Sequence, residues 1–105
     1  MKAVVAGTDT HDISAALASA GVEVSTVDVA NRPGLEAAGV HEADLYVLTE
    51  ARQATSISVA KDLDVDLHVV VYAEDSLPDF ARGQADLVID PELLDPAAVA
   101  EELAA

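Results

Sequence analysis

The 105 residues leave room for one hydrophobic core, so the expected organisation is a single domain spanning residues 1–105. Half the residues are apolar but only Tyr46, Tyr72 and Phe80 are aromatic, which predicts a core of Val, Leu, Ile and Ala. Twenty Asp and Glu face five Lys and Arg, a formal charge of −15, and this excludes a nucleic-acid binder, whose phosphate contacts need stripes of Lys and Arg.

The carboxylates are spread through every segment and lysine occurs only at Lys2 and Lys61. That pattern suits a surface adapted to a high-salt cytoplasm, haloarchaeal in type, better than a local patch for a cationic partner. The apolar fraction is too high for a disordered acidic tail. Cysteine is absent, so disulfides, thiolate zinc sites and cysteine nucleophiles are excluded. No apolar run has signal or membrane-spanning length, which predicts a soluble cytoplasmic protein with no membrane partner.

In chain order, "KAVVA" (2–6) is the first predicted strand. Gly7 makes the tight strand-to-helix turn. Thr8 or Asp9 offers a cap for a helix over 12–20 that stops at Gly21 and puts Ile13, Ala16, Leu17 and Ala20 on one face. "VEVSTVD" (22–28) is a second strand whose alternation suits a sheet edge, and 31–43 holds a turn and a short helix with Pro33 in its first turn. "DLYVLTE" (44–50) is the third strand, followed by a helix over 53–63 in which Ile57, Ala60 and Lys61 turn over the sheet. "DLHVVVYA" (66–73) is the most continuous apolar run and reads as a central strand, with His68 packed inside it. A short helix over 77–82, a fifth strand over 85–91 and a Pro-started helix over 95–104 close the chain.

Strands alternating with Ala-rich helices predict an α/β fold: a three-layer Rossmann-like or flavodoxin-like domain, with a five-stranded parallel sheet in order 2-1-3-4-5 and helices on both faces. Ligands in such sheets bind at the carboxyl ends of the strands beside the switch point, here between strands 1 and 3. The crevice residues are then Gly7 to Asp12, Asp28, and Thr49 to Gln53.

Three stretches carry a resemblance to a family: "VVAG" leading into a helix, "VEVSTVD" ending in Asp28, and "LEAAGVHEADLYVLTE". In the last, Leu35, Ala38, Gly39, Val40, Ala43 and Asp44 follow an L-x-x-A-G-i-x-x-A-d pattern. Together with "ARGQADLVIDPELL", they resemble the nucleotide-binding RCK (TrkA-N) domain of potassium-transporter regulation, a Rossmann variant. The resemblance implies a nucleotide held at Gly7, Thr8, Asp9 and Thr49, with Asp28 on the ribose hydroxyls. It also implies pairing through helices beside the sheet, for which "ATSISVAKDL" offers a homodimer seam. The chain departs from the family at Asp9 and Asp12, which occupy the second and third glycine positions of the fingerprint. A carboxylate there repels a pyrophosphate, which argues against NAD in the usual pose.

An alternative has Asp9, His11, Asp12 and Glu50 converging on Mg²⁺, which resembles the acidic pocket of response-regulator receiver domains. Those carry an Asp at the end of the third strand and a Lys at the end of the fifth, where this chain reads "LTE" and "IDP". The three histidines have no zinc spacing, the serines no nucleophile elbow, and no G-x-x-x-x-G-K-[ST] loop exists. No acid, base and nucleophile set is evident, so the expected function is a non-enzymatic regulatory or protein-interaction module with a degenerate nucleotide site. The alternative is a sensor of a nucleotide or other small ligand at the Gly7–Asp12 loop. A homodimer or another protein is the expected partner.

Overall fold

In the computed structural model, which describes residues 1–105, β1 (Lys2–Ala6), β2 (Glu23–Val27), β3 (Leu45–Leu48), β4 (His68–Tyr72) and β5 (Leu87–Ile89) form one sheet. All four pairings are parallel and the order is β2-β1-β3-β4-β5, the expected flavodoxin-like topology. The connections carry α1 (Ile13–Ser19), α2 (Arg32–Ala38), α3 (Ser56–Leu63) and α4 (Asp79–Arg82), and α5 (Pro96–Ala104) follows β5.

The strand registers sort the side chains onto two faces. Val4, Ala6, Tyr46, Leu48, Val69 and Val71 point to the face covered by α2, α3 and α4, where they meet Leu35, Ile57, Ala60 and Ala81. Ala3, Val5, Val47, Val70 and Tyr72 point the other way and meet Ile13 and Leu17 of α1 with Val99 and Ala100 of α5. Both faces of β1, β3 and β4 are therefore covered, which is why those strands read as continuous apolar runs. Each fully buried Leu or Ile contributes about 1.5–3 kcal/mol through removal from water. The one polar contact deep in this core joins the Tyr46 hydroxyl to Ser56 Oγ at 2.7 Å.

Local chemistry sets the helix ends. Asn31 accepts a hydrogen bond from the Gly34 N–H at 2.9 Å at the start of α2, and Asp95 accepts one from the Ala98 N–H at 2.8 Å at the start of α5. Gly39 ends α2 in the left-handed region, at φ +83°. Two expectations shift. The helix predicted from residue 53 begins at Ser56, because Ala51–Gln53 forms a separate 3₁₀ turn. His68 is exposed rather than packed, because β4 begins there at the rim of the sheet. No helix is long and apolar enough to cross a membrane.

Candidate functional site

The carboxyl ends of β1, β3 and β4 open on a cleft of about 210 Å³, walled by residues 8–11, 49–50 and 72–75. The floor is shaped by Gly7, whose φ of +99° turns the chain out of β1 while its N–H donates to the Val27 carbonyl at 2.9 Å. A Cβ at this position would stand 2.7 Å from Thr49 Oγ1 and 2.9 Å from Glu50 Cγ. The end of β3 therefore packs directly against a backbone that only glycine leaves bare.

That closeness is used by hydrogen bonds. The Thr8 N–H donates to Glu50 Oε1 at 2.6 Å, and the single Thr49 hydroxyl proton is shared between the Ala6 and Thr8 carbonyls at 2.9 and 2.8 Å. Glu50 also accepts from the Arg52 guanidinium and, at 3.2 Å, from the Gln53 amide. The bond from Arg52, and then the one from Thr8, hold the Glu50 carboxyl below its usual range.

Asp9 fulfils its expected capping role and consumes the start of α1. Its Oδ1 accepts from the Ile13 N–H at 2.8 Å and its Oδ2 from the Ser14 N–H at 3.0 Å. The carboxylate thus occupies the place where an incoming anion would meet the helix N–H groups. Asp12, at φ +56°, makes the tight entry into the helix. Across the cleft, His11 Nε2 lies 3.1 Å from Glu74 Oε1, and its ring meets Tyr72 edge-on at 5.9 Å. The Tyr72 hydroxyl in turn donates to the Leu94 carbonyl at 2.8 Å.

Gly7, Thr8, Asp9 and Thr49 therefore come together as the sequence predicts. Asp28 does not join them. It is exposed beyond β2, and Gln53 lies between it and the cleft, donating to the Asp28 carbonyl at 3.0 Å and accepting from the Ala30 N–H at 2.8 Å. The arrangement considered for Mg²⁺ is not assembled, since Asp9 is turned onto α1, Glu50 onto Thr8 and Arg52, and His11 onto Glu74. No three His, Asp or Glu side chains are grouped to hold a metal ion. Sequence reasoning missed the wall made by Tyr72, Glu74 and Asp75. The signal in the sequence is the acidic pair Glu74-Asp75 that follows the most apolar strand, at the end of β4 rather than at the switch point between β1 and β3. Asp9, Glu50, Glu74 and Asp75 line the space, and Arg52, which lies outside its lining, is tied to Glu50. An approaching phosphate would meet these carboxylates, and no Lys or Arg lines the cleft to offset them.

Among solved structures, the chain is similar to two pilus-assembly proteins of Burkholderia. One is described as pilus assembly-related, from Burkholderia pseudomallei K96243, at 17% identity and TM-score 0.69 over 98% of this chain and 86% of that one. The other, a pilus assembly protein of Burkholderia thailandensis E264, shows 16% identity and TM-score 0.69 over 98% and 94%. An atypical orphan response regulator is similar at 16% identity and TM-score 0.72, over 95% of this chain and 89% of that one. These likenesses establish the fold, and no curated protein matches the sequence.

The resemblance to the RCK (TrkA-N) domain is corrected by these findings, because the structural relatives are receiver-like and pilus-assembly proteins and the family model is a different one. The residues that carried it have a plainer role. Leu35, Val40 and Ala43 are buried under α2 and the turn after it, and Gly39 ends that helix, so the pattern encodes helix-on-sheet packing common to many α/β folds. A model described as a family of unknown function, DUF7126, matches residues 3–103, and the chain belongs to that family.

Proposed function

We propose that this protein is a non-enzymatic regulatory domain on a receiver-like scaffold, acting through protein contacts rather than through a bound nucleotide or a phosphoryl group. One observation carries the reading: the backbone N–H groups that a ligand-binding loop would present, at Thr8 and at the start of α1, already donate to Glu50 and Asp9. Those donors are taken up by the protein's own carboxylates. Gly7, Thr8, Asp9 and Thr49 then serve to hold the shape of the loop, and Asp28 has no ribose to contact. The sequence supports the same reading, because "LTE" and "IDP" stand where receivers carry their phosphoacceptor and their lysine. One structural neighbour is described as an orphan response regulator with a phosphorylation-independent regulatory mechanism, and two as pilus-assembly proteins, which fits a regulatory part played without phosphate. A cytoplasmic setting accompanies this reading.

The open cleft of about 210 Å³ favours a second reading, a sensor of a small ligand at the Gly7–Asp12 loop.

A thermal-shift series in molar KCl separates the two readings, since a ligand that binds the native state raises the midpoint. With NAD(H), ATP, ADP, AMP, cyclic dinucleotides, acetyl phosphate and Mg²⁺, the expected result is an unchanged midpoint and, with acetyl phosphate, an unchanged intact mass. A reproducible rise with a nucleotide that Thr8→Glu abolishes overturns the proposal in favour of the sensor.

A further inference from the structure

The two edges of the sheet differ. β2 lines one edge with Glu23, Ser25 and Thr26 exposed, the polar and charged dressing that discourages pairing with another strand. β5 forms the other edge and reads Leu87-Val88-Ile89, with Val88 54% exposed. Val88 shares a sheet face with Val71 and α4, on which Phe80 is exposed. Leu87 and Ile89 share the opposite face with Val70 and Tyr72, beside the exposed Leu93 and Leu94 of the segment leading to α5. Five of the eight exposed large hydrophobic side chains of the whole chain thus fall within residues 80–94, around one bare strand edge.

The chemistry of this edge selects its occupant. Outward N–H and C=O groups of an edge strand are met by another extended backbone. Residues 75–95 hold six carboxylates against Arg82 alone, and Asp86 and Asp90 bracket the strand. Antiparallel pairing of two copies about Val88 would set Asp86 of one opposite Asp90 of the other, on chains that each carry −15. Like charges facing across strands oppose that pairing. We propose that the open edge of β5 is a strand-addition site for an extended segment of another protein, apolar at its centre and carrying Lys or Arg at its ends. This rests on the reading of the domain as a protein-interaction module and names the surface and the chemistry of the partner.

The test titrates the isotope-labelled full chain in about 0.15 M KCl, where charges are screened beyond about 8 Å and where the amide dispersion of the free chain first verifies that it is folded, with the synthetic peptide Lys-Lys-Val-Ile-Val-Lys-Lys, following amide shifts. Shifts centred on residues 87–89 are expected. Binding should weaken at least about tenfold for Val88→Lys and for Leu93→Lys, both at exposed positions, and stay unchanged for Val65→Lys, an exposed apolar residue elsewhere. A peptide with Gly-Ser-Gly at its centre should bind at least about tenfold more weakly, and one with Glu at its ends should not bind. The proposal is overturned by no shift, by shifts spread over the acidic surface, by equal binding of the Gly-Ser peptide, or by binding of the Glu peptide. Self-association in sedimentation that Val88→Lys abolishes would also overturn it, by making a second copy the occupant. The failures are separable. A nucleotide-driven rise in midpoint with peptide binding intact removes the functional reading and leaves the docking edge, whereas silent nucleotides with no peptide binding remove the edge alone.

Discussion

At Gly7 two requirements coincide: a backbone angle of +99° that side chains rarely adopt, and the approach of Thr49 and Glu50 to within 3 Å of where a Cβ would lie. Gly7→Val is therefore expected to cost about 2–4 kcal/mol, summing backbone strain with steric overlap. That lowers the thermal midpoint by roughly 10 °C or more in a domain of this size. A thermal melt checks it, and an unchanged midpoint would refute the assignment of the turn. Tyr46 gives a prediction in pH. Burial pushes its hydroxyl up to about 12, against a smaller pull downward from its bond to Ser56. The unfolded side chain ionises near 10, so the stability due to the neutral folded form is complete below about pH 10 and is lost as pH rises through about 12. Tyr46→Phe is expected to flatten the decline between those values in urea titrations. At neutral pH it should cost about 1–2 kcal/mol by leaving the buried Ser56 hydroxyl without its partner. Some alkaline slope should survive, because burial and the charge of Asp95 also raise Tyr72. A Phe variant with the native alkaline profile would show that Tyr46 is not the titrating group. The role of Gly7 was legible because a strand running into a helix needs a turn there. The Tyr46–Ser56 pair was not, because ten residues of chain separate its members and only the seating of α3 on β3 brings them together.

The secondary elements follow from local chemistry, and their ends can be tested one at a time. Asp95 at the start of α5 accepts from the Ala98 N–H, so Asp95→Ala is expected to cost about 1 kcal/mol, the usual worth of such a cap, read as a lower urea midpoint. An unaltered midpoint would mean that packing of Val99 and Ala100 fixes the helix without its cap. The strands were legible from their runs of β-branched residues, and β2 from its alternation. The start of α3 was misplaced by a few residues because Ala51–Gln53 has helix-forming composition. Gln53 is instead drawn aside to bond the Asp28 carbonyl and the Ala30 N–H, contacts between segments distant in sequence.

Across the whole molecule, charge is the dominant unsatisfied quantity. Lys2, Arg32, Arg52 and Lys61 each lie within ion-pair reach of a carboxylate, so most of the twenty carboxylates have no cation beside them. Their mutual repulsion weakens the folded state in dilute buffer and is screened within about 3 Å in 1 M salt. The thermal midpoint is therefore expected to climb as KCl is raised from about 0.1 M to about 2 M, over which the screening length falls from about 10 Å to below about 3 Å. A midpoint that stays flat or falls with KCl counts against a salt-adapted surface.

The sequence by itself determined the strands, their parallel order and the two-sided core, because hydrophobic period and strand-helix alternation are local signals that admit few topologies. It also placed Gly7, Thr8, Asp9 and Thr49 in one corner, since in a parallel sheet the ends of neighbouring strands meet. Only the tertiary structure decided how that corner is filled. Whether Asp9 and Glu50 face outward to a ligand or inward to Thr8, Ile13 and Ser14 depends on distances of 2.6–3.0 Å between segments up to 42 residues apart, and no pattern along the chain encodes them. The bare edge of β5 was equally hidden. Val88 looks like any other strand valine until the sheet ends beside it and leaves its outer flank without a neighbour.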